Sequence, residues 1–189
     1  MKIKNSYMKT IRYKIQFFSS WHCGSGLSAG ADVDELVVKD KDGMPYVPGK
    51  TMKGLIREAV EDYMFFTGSD SAAVDETFGS EADMTGSAFF SNATLDEREQ
   101  KAIVSNGAQR HLYNKVTTTA IGENGIAKEH SLHSLETVVP CSLTGFVTDV
   151  PETMVKVIGE SLGMIKRIGL RRSRGLGRCN VTLEEGSES

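Results

Sequence analysis

The stretch from Phe17 to Glu61 reads FFSSWHCGSGLSAGADVDELVVKDKDGMPYVPGKTMKGLIREAVE. It joins a strand-like segment to a predicted helix through a glycine-rich loop that carries His22, Asp32 and Asp34. Glycine takes positive φ and lets a backbone approach a ligand closely at little steric cost. This pattern predicts a loop that holds a ligand with carboxylates beside it.

The helix that follows is predicted from Gly49 to about residue 66, because apolar residues recur at helical spacing and charged residues lie opposite. The first turn of a helix has free N–H groups and a partial positive charge. Lys50 and Lys53 add two cations there. These features suit a phosphate, so the stretch is interpreted as a polyanion-binding segment.

The chain has 189 residues, 39% hydrophobic and 25% charged, which predicts one globular domain over residues 1–189. It contains no run of about 18 apolar residues, and no apolar segment follows the basic N-terminus, so neither a membrane span nor a secretory signal is expected. A cytoplasmic location is predicted. The three cysteines are far apart, which argues against a zinc ribbon or a disulfide framework.

Charge is unevenly distributed along this chain, whose net charge is −3. Residues 161–180 contain no acidic residue but include Lys166, Arg167, Arg171, Arg172, Arg174 and Arg178. Arginine forks grip phosphates with paired hydrogen bonds, and the glycines among them let the backbone follow a nucleic-acid strand. This segment is therefore interpreted as nucleic-acid-binding in preference to a solvated charged face.

The predicted element order is β-α-β, an irregular insertion, and then β-α-β. Strands are predicted at 9–19, 86–95, 131–149 and 178–184, helices at 49–66 and 151–168, a surface loop at 67–85, and a thumb-like insertion at about 105–130. Pro140 interrupts the third strand, which indicates a bulge or an edge position. The order predicts an α+β, ferredoxin-like fold, a class whose sheets commonly bind RNA on an open face or along their edges.

Two groups in the glycine-rich loop are candidates for chemistry. Asp32 and Asp34 could hold Mg²⁺ or act as a general base, and the alternative is that they are ordinary solvated loop carboxylates. His22 could act in acid–base chemistry or contact a base, and the alternative is a hydrogen-bonded structural residue. No G-x-x-x-x-G-K-[ST] or G-x-S-x-G motif occurs, so nucleotide hydrolysis and serine-esterase chemistry have no support.

Several motifs in order resemble the RAMP superfamily of CRISPR effector proteins. They are H-x-G-x-G at 22–26, G-x-P-Y-V-P-G-K-T-M-K-G-x-x-R-E at 43–58, the segment Phe78–Leu95, and the glycine–arginine segment Gly169–Gly177. Within that superfamily the chain is most similar to the repeated backbone subunit of type III (Csm and Cmr) complexes.

The resemblance implies a modified RRM-like palm with an inserted thumb. It also implies that copies associate into a filament on a CRISPR guide RNA, together with other type III effector subunits. A further implication is cleavage of the guide-paired target RNA, with Mg²⁺ or another divalent cation as cofactor. The family's catalytic aspartate and metal ligand matches Asp34, and Asp32 is an additional carboxylate.

The nucleophile implied by the resemblance is the 2′-hydroxyl next to the scissile phosphate. The guide backbone would be contacted by His22, Lys50, Lys53, Arg171, Arg172 and Arg174. The chain departs from the family in its short length and in Leu36, which stands where proline is common. Three alternatives stay open: a non-cleaving scaffold of the same complex, a stand-alone metal-independent guide-processing ribonuclease that uses His22, and an unrelated polyanion-binding module.

Overall fold

The computed structural model describes residues 8–28, 33–68, 72–80, 85–119 and 132–184. Its strands are β1 (Met8–Phe17), β2 (Phe89–Phe90), β3 (Tyr113–Thr118), β4 (His133–Val138), β5 (Ser142–Pro151) and β6 (Cys179–Leu183). Its α-helices are α1 (Gly49–Thr67), α2 (Ala72–Phe78), α3 (Glu97–Ser105) and α4 (Glu152–Leu162). Short 3₁₀ turns cover Gln109–Leu112 and Arg172–Arg174.

Four strands form one antiparallel sheet in the order β2-β5-β1-β6. β1 is central, since Tyr13 is opposite Gly145 of β5 on one side and Leu183 of β6 on the other. α1 connects β1 towards the edge strand β2, and α4 connects β5 towards the other edge strand β6. These interleaved β-α-β units confirm the predicted α+β, ferredoxin-like class.

The core lies between this sheet and the packed pair of helices α1 and α4. In β1, buried Ile11, Tyr13 and Ile15 alternate with half-exposed Arg12 and Lys14, as expected of a strand with one covered face. The helices contribute Met52, Ile56 and Val60 from α1 and Met154, Ile158 and Leu162 from α4. The sheet face that carries Arg12 and Lys14 is turned away from these helices.

β3 and β4 form a separate antiparallel hairpin outside the four-stranded sheet. β3 falls within the predicted insertion, and residues 120–131, between the two strands, lie outside the described residues. The prediction of one long strand at 131–149 is wrong. Proline cannot donate to a strand ladder, and near Pro140 the chain leaves the hairpin and enters β5 beside β1.

Three further elements differ from their predicted bounds. Part of the predicted loop at 67–85 forms α2, because Val74 and Phe78 lie one helical turn apart and are both buried. Arg57 of α1 holds α2 through an ion pair with Asp75 at 3.1 Å. β2 spans only Phe89–Phe90 of the strand predicted at 86–95, and α4 ends before the predicted residue 168. Within the described ranges, no helix is both long and apolar enough to cross a membrane.

Candidate functional site

The glycine-rich loop begins at a point fixed to both the core and the hairpin. Trp21 is fully buried and stacks on Phe17, with ring centroids 4.7 Å apart. The backbone of Trp21 exchanges hydrogen bonds of 3.1 and 2.8 Å with Val138 of β4. The loop therefore leaves β1 at a position set by core packing and by β4.

His22 is fully buried and connects three segments of the chain. Its Nδ1 lies 2.6 Å from the carbonyl oxygen of Glu136 in β4, and its own carbonyl oxygen accepts the N–H of Leu170 at 2.9 Å. If Nδ1–H donates to that carbonyl in a neutral ring, Nε2 is the acceptor nitrogen. Nε2 lies 3.8 Å from Oε2 of Glu35. This placement fits the structural interpretation of His22.

The backbone at Asp34 lies beside β4, and β4 orients the Asp34 side chain. The N–H of Asp34 donates to the carbonyl oxygen of Ser134 at 3.0 Å, and the N–H of Ser134 donates to Oδ2 of Asp34 at 2.7 Å. The same Oδ2 lies 3.3 Å from Nδ1 of His133, and the Asp34 side chain is 52% exposed. The carboxylate is thus positioned by the protein while part of it faces outward.

Glu35 is where the charged contacts of the region converge. Its Oε1 lies 3.0 Å from Nε2 of His133 and 3.9 Å from Nη2 of Arg171. Arg171 also donates from Nη1 to Oγ1 of Thr118 in β3, at 3.1 Å. We call the side chains of His22, Asp34, Glu35, His133 and Arg171 the carboxylate–histidine cluster. The cluster joins the glycine-rich loop, the hairpin and the C-terminal basic segment.

The basic loop, residues 169–178, is fixed against the glycine-rich loop at both of its ends. Next to Gly169, Leu170 bonds to His22 as described, and Gly177 donates its N–H to the carbonyl oxygen of Ser20 at 2.8 Å. Gly169 and Gly177 have φ of +96° and +70°. A Cβ at Gly169 would overlap the carbonyl oxygen of His22, so glycine is required there for both space and conformation.

The N-terminus of α1 faces the same region. Pro48 precedes the helix without a side-chain cap, and the first turn contains no acidic residue that would offset its partial positive charge. The N–H of Gly49 is satisfied by Oδ1 of Asn92 at 2.9 Å. Lys50 is exposed and Lys53 is half-buried. This end of α1 is therefore electropositive, as an anion site requires.

Two neighbouring cavities lie among these segments. Both are lined by His22, Gly24 and Leu170. The acidic cavity, of about 410 Å³, is also lined by Asp34 and Glu35. The basic cavity, of about 270 Å³, is also lined by Lys50 and Arg172. The cavity that contains the cations and the cavity that contains Asp34 therefore share part of one wall.

The sequence matches a known family over most of its length. The family model of the RAMP superfamily matches residues 14–180. The chain belongs to the RAMP superfamily. None of the curated proteins matches it in sequence.

Solved structures show the same fold as this RAMP chain. A chain of the type III-B Cmr-beta complex bound to cognate target RNA superposes with a TM-score of 0.67 at 18% identity, covering 94% of this chain and 60% of that one. A chain of the Cmr-beta apo state superposes with a TM-score of 0.73 at 10% identity, covering 95% of this chain and 98% of that one. At these identities the likeness establishes the palm-like fold. The RAMP protein spans about three-fifths of the first of these relatives.

The predicted site residues are only partly brought together in this RAMP protein. His22, Asp34, Lys50 and Arg172 line the two cavities. Arg171 lies in the carboxylate–histidine cluster, whereas Lys53 and Arg174 line neither cavity. Asp32 lies outside the described residues.

Mg²⁺, which the family resemblance implies, has a plausible donor in Asp34. Among the residues described, no group of three or more His, Cys, Asp or Glu side chains is arranged to hold a metal ion. Mg²⁺ at nucleic-acid sites is commonly held by one or two carboxylates, with waters and substrate phosphates as the other ligands. The two Asp34 contacts described above both use Oδ2. A half-exposed carboxylate of this kind fits a site that RNA phosphates complete.

Sequence reasoning missed Glu35, His133 and Thr118. His133 is about a hundred residues from Asp34, and no spacing rule connects them. Only the placement of the strands could have revealed these residues, because a strand that lies beside the glycine-rich loop brings its polar side chains to Asp34. The prediction of one long strand at 131–149 merged β4 with β5, so the strand beside the glycine-rich loop was not recognised.

Proposed function

We propose that this RAMP protein is a guide-RNA-binding backbone subunit of a type III CRISPR effector complex, and that it cuts guide-paired target RNA through Asp34. The observation that carries the proposal is the pair of adjacent cavities sharing His22 and Leu170, one with cations and the other with Asp34. That the solved relatives are chains of Cmr-beta complexes, one of them bound to cognate target RNA, supports the assignment to RNA and to an effector complex.

The guide backbone would pass through the basic cavity. There a phosphate would meet the electropositive start of α1, the Lys50 ammonium and the Arg172 guanidinium. Arg174 and Lys53 would extend the path as flanking phosphate contacts. Contacts of this kind hold a strand by its backbone and leave sequence recognition to base pairing.

The target strand would present a phosphate to the acidic cavity. The adjacent 2′-hydroxyl would give up its proton to water and its oxygen would form a bond to phosphorus, giving a 2′,3′-cyclic phosphate. The bond from phosphorus to the 5′-oxygen would break, and that leaving oxygen would take up a proton from water. Asp34, held by Ser134 and His133, would orient the hydroxyl and hold the cation. A divalent cation bound there would stabilise the charge that develops on the phosphate. Asp32 would be a second carboxylate nearby.

Assembly would place copies of the chain side by side along one guide, with other type III subunits at the ends and flanks. The β3–β4 hairpin lies outside the four-stranded sheet and would form part of the implied thumb, against a neighbouring stretch of duplex. A filament of this kind repeats the cavity pair at regular intervals. Cuts in the target would then be regularly spaced.

A non-cleaving scaffold is the second candidate, and one observation favours it. Oδ2 of Asp34 is already engaged by Ser134 and His133, and among the described residues no group of three or more ligating side chains is arranged to hold a metal. The metal-independent ribonuclease is less well supported, because the His22 side chain that it would use is fully buried.

Cleavage of a labelled target RNA by the purified effector complex tests the catalytic proposal. Wild type, Asp34→Ala and Asp32→Ala are compared in Mg²⁺ and in EDTA, and guide content is measured for each. We expect regularly spaced, Mg²⁺-dependent cuts that Asp34→Ala abolishes while its guide content stays unchanged. A wild-type complex that binds target and never cuts would make the chain a scaffold, and cuts that persist in EDTA would favour the metal-independent enzyme.

Guide binding is tested separately with the double variant Lys50→Ala/Arg172→Ala. Loss of two phosphate contacts should weaken binding of any guide sequence alike and reduce the salt dependence by about two charges. Lys156→Ala is the matched control, since Lys156 is a highly exposed lysine on α4 away from both cavities. Equal affinities for the double variant and the control would place the guide elsewhere.

A further inference from the structure

The face of the four-stranded sheet opposite α1 and α4 has an unusual composition. We call it the open sheet face; by strand register it carries Phe89, Thr148, Phe146, Thr144, Arg12, Lys14 and Thr182. Gln16, Ser142 and Asn180 continue the same face along β1, β5 and β6, so its side chains are aromatic, polar or cationic. None of these residues lines either cavity. The open sheet face is therefore a surface separate from the proposed guide site.

Two phenylalanines are exposed on this face. Phe89 is 63% exposed and Phe146 is 42% exposed, although neither lies at a chain end or in a loop. Phe89 is directly opposite Thr148, two residues along β5 from Phe146, so the two rings are diagonal neighbours on one face. Diagonal neighbours in a sheet lie about 7–8 Å apart, so the two rings are within reach of consecutive planar groups on one strand.

Cations lie immediately beside the aromatic pair. Arg12 is directly across from Phe146, and its guanidinium carbon is 5.5 Å from the centroid of that ring. Arg12 is also paired with Glu184 at 2.5 Å. Lys14 is the next residue on the same face of β1 and lies between Thr144 of β5 and Thr182 of β6. Among the described residues no carboxylate forms an ion pair with it. The open sheet face thus has exposed rings on β2 and β5, and beside them on β1 a lysine available to a phosphate.

We propose that the open sheet face binds single-stranded nucleic acid, with bases stacked on Phe89 and Phe146 and phosphates near Arg12 and Lys14. Every base has a planar face, so exposed rings on a sheet bind single strands with little sequence preference, and nearby cations follow the backbone. A protein partner fits less well, because the centres of protein interfaces are depleted in lysine and bury contiguous apolar area. Thr148 beside Phe89, and Thr144 and Thr182 beside Lys14, interrupt any such apolar area.

The test measures binding of a short fluorescent single-stranded oligonucleotide to the full chain. Phe89→Ala/Phe146→Ala should lower affinity for oligouridine by roughly tenfold or more, since stacking on each ring contributes to binding. Phe65→Ala/Phe66→Ala is the matched control, because those adjacent rings are even more exposed and lie on α1. Phe146→Tyr should retain binding, and Lys14→Ala should reduce the salt dependence by about one charge.

Two results would overturn the proposal. One is unchanged oligonucleotide affinity in Phe89→Ala/Phe146→Ala with a far-UV spectrum like that of wild type. The other is a loss of self-association or of partner binding with unchanged oligonucleotide affinity, which would make the face a protein interface.

The same measurement in a Lys50→Ala/Arg172→Ala background separates this surface from the guide site. If the two surfaces are independent, the phenylalanine substitutions lower affinity by the same factor in both backgrounds. If the guide does not bind in the basic cavity, the loss of affinity caused by the phenylalanine substitutions should still be observed. Disappearance of the factor in the Lys50→Ala/Arg172→Ala background would mean that the open sheet face does not bind on its own.

Discussion

Nε2 of His133 lies 3.0 Å from Oε1 of Glu35, and this contact ties the start of β4 to the glycine-rich loop. The residue after His133 donates its N–H to Asp34, so the same short segment of β4 positions both neighbouring carboxylates. The orientation of Asp34 therefore depends on the hairpin as well as on its own loop.

Replacing His133 by alanine should slow target cleavage without releasing the guide. The imidazole lies between the two carboxylates, and loss of a residue that orients a ligating carboxylate typically costs about 10- to 100-fold in metal affinity or activity. Single-turnover cleavage over a Mg²⁺ titration measures the effect. His133→Gln, which keeps an amide donor, should recover part of the rate. Wild-type rates in His133→Ala would show that Ser134 alone positions Asp34.

Replacing Arg171 by alanine should loosen the hairpin. The guanidinium bonds Thr118 of β3 and lies near Glu35, and the side chain is only 19% exposed, so we expect a loss of about 1–2 kcal/mol. Hydrogen exchange should rise in peptides covering 113–118 and 133–138. Arg174→Ala, an exposed change in the same loop, is the control. Equal exchange in both variants would rule out this role for Arg171.

Replacing Gly169 by alanine should destabilise the protein by about 2 kcal/mol or more, because a side chain is strained at φ +96° and its Cβ would overlap the His22 carbonyl. Gly54→Ala is the opposite case, since Gly54 lies in α1 with open space around its Cβ position. It should stabilise by about 0.5–1 kcal/mol. Urea unfolding of the three proteins gives the comparison, and a neutral Gly169→Ala would contradict the close approach of the two loops.

Burial raises the pKa of the Cys23 thiol to about 12 and that of the Cys141 thiol to about 11, above the ordinary thiol value of 9.0. Between about pH 9 and 12 the unfolded chain therefore loses protons that the folded chain retains. Stability contributed by these thiols is complete below this range and falls as pH rises through it. Urea unfolding across this range measures the slope, and Cys23→Ala should make it shallower. A slope unaffected by Cys23→Ala would show that this thiol does not contribute.

Thiol accessibility gives an independent check on the same burial. Cys23 and Cys179 are buried, so both should react slowly with an aromatic disulfide reagent in the folded protein and quickly after unfolding. Rapid reaction of all three thiols in the folded state would contradict the packing described around them.

The sequence predicted those parts of the molecule that local rules control. β1 follows from the alternation around Tyr13, and α1 follows from its apolar stripe. The electropositive start of α1 and the basic loop could also be read directly, and Lys50 and Arg172 do line one cavity. In each case the evidence lies within a few consecutive residues.

The remainder depended on pairings between distant segments. Glu35 and His133 meet because Asp34 and Glu35 lie along β4, and nothing within either segment encodes that partner. His22 was interpreted as a possible phosphate contact, but its burial follows from the Glu136 carbonyl and the basic loop, both far away in sequence. The passage of the chain from the hairpin to the four-stranded sheet near Pro140 appeared in the sequence only as a proline that interrupts a predicted strand.

The short connection between the hairpin and the four-stranded sheet also has a mechanical consequence. Val139, Pro140 and Cys141 are the only residues between β4 and β5, while Trp21, stacked on Phe17, is bonded to the last residue of β4. The base of the hairpin is thus clamped to the central strand and to its neighbour at once. A force applied to the described part of the hairpin would reach the palm through this junction, because the hairpin has no free hinge at its root.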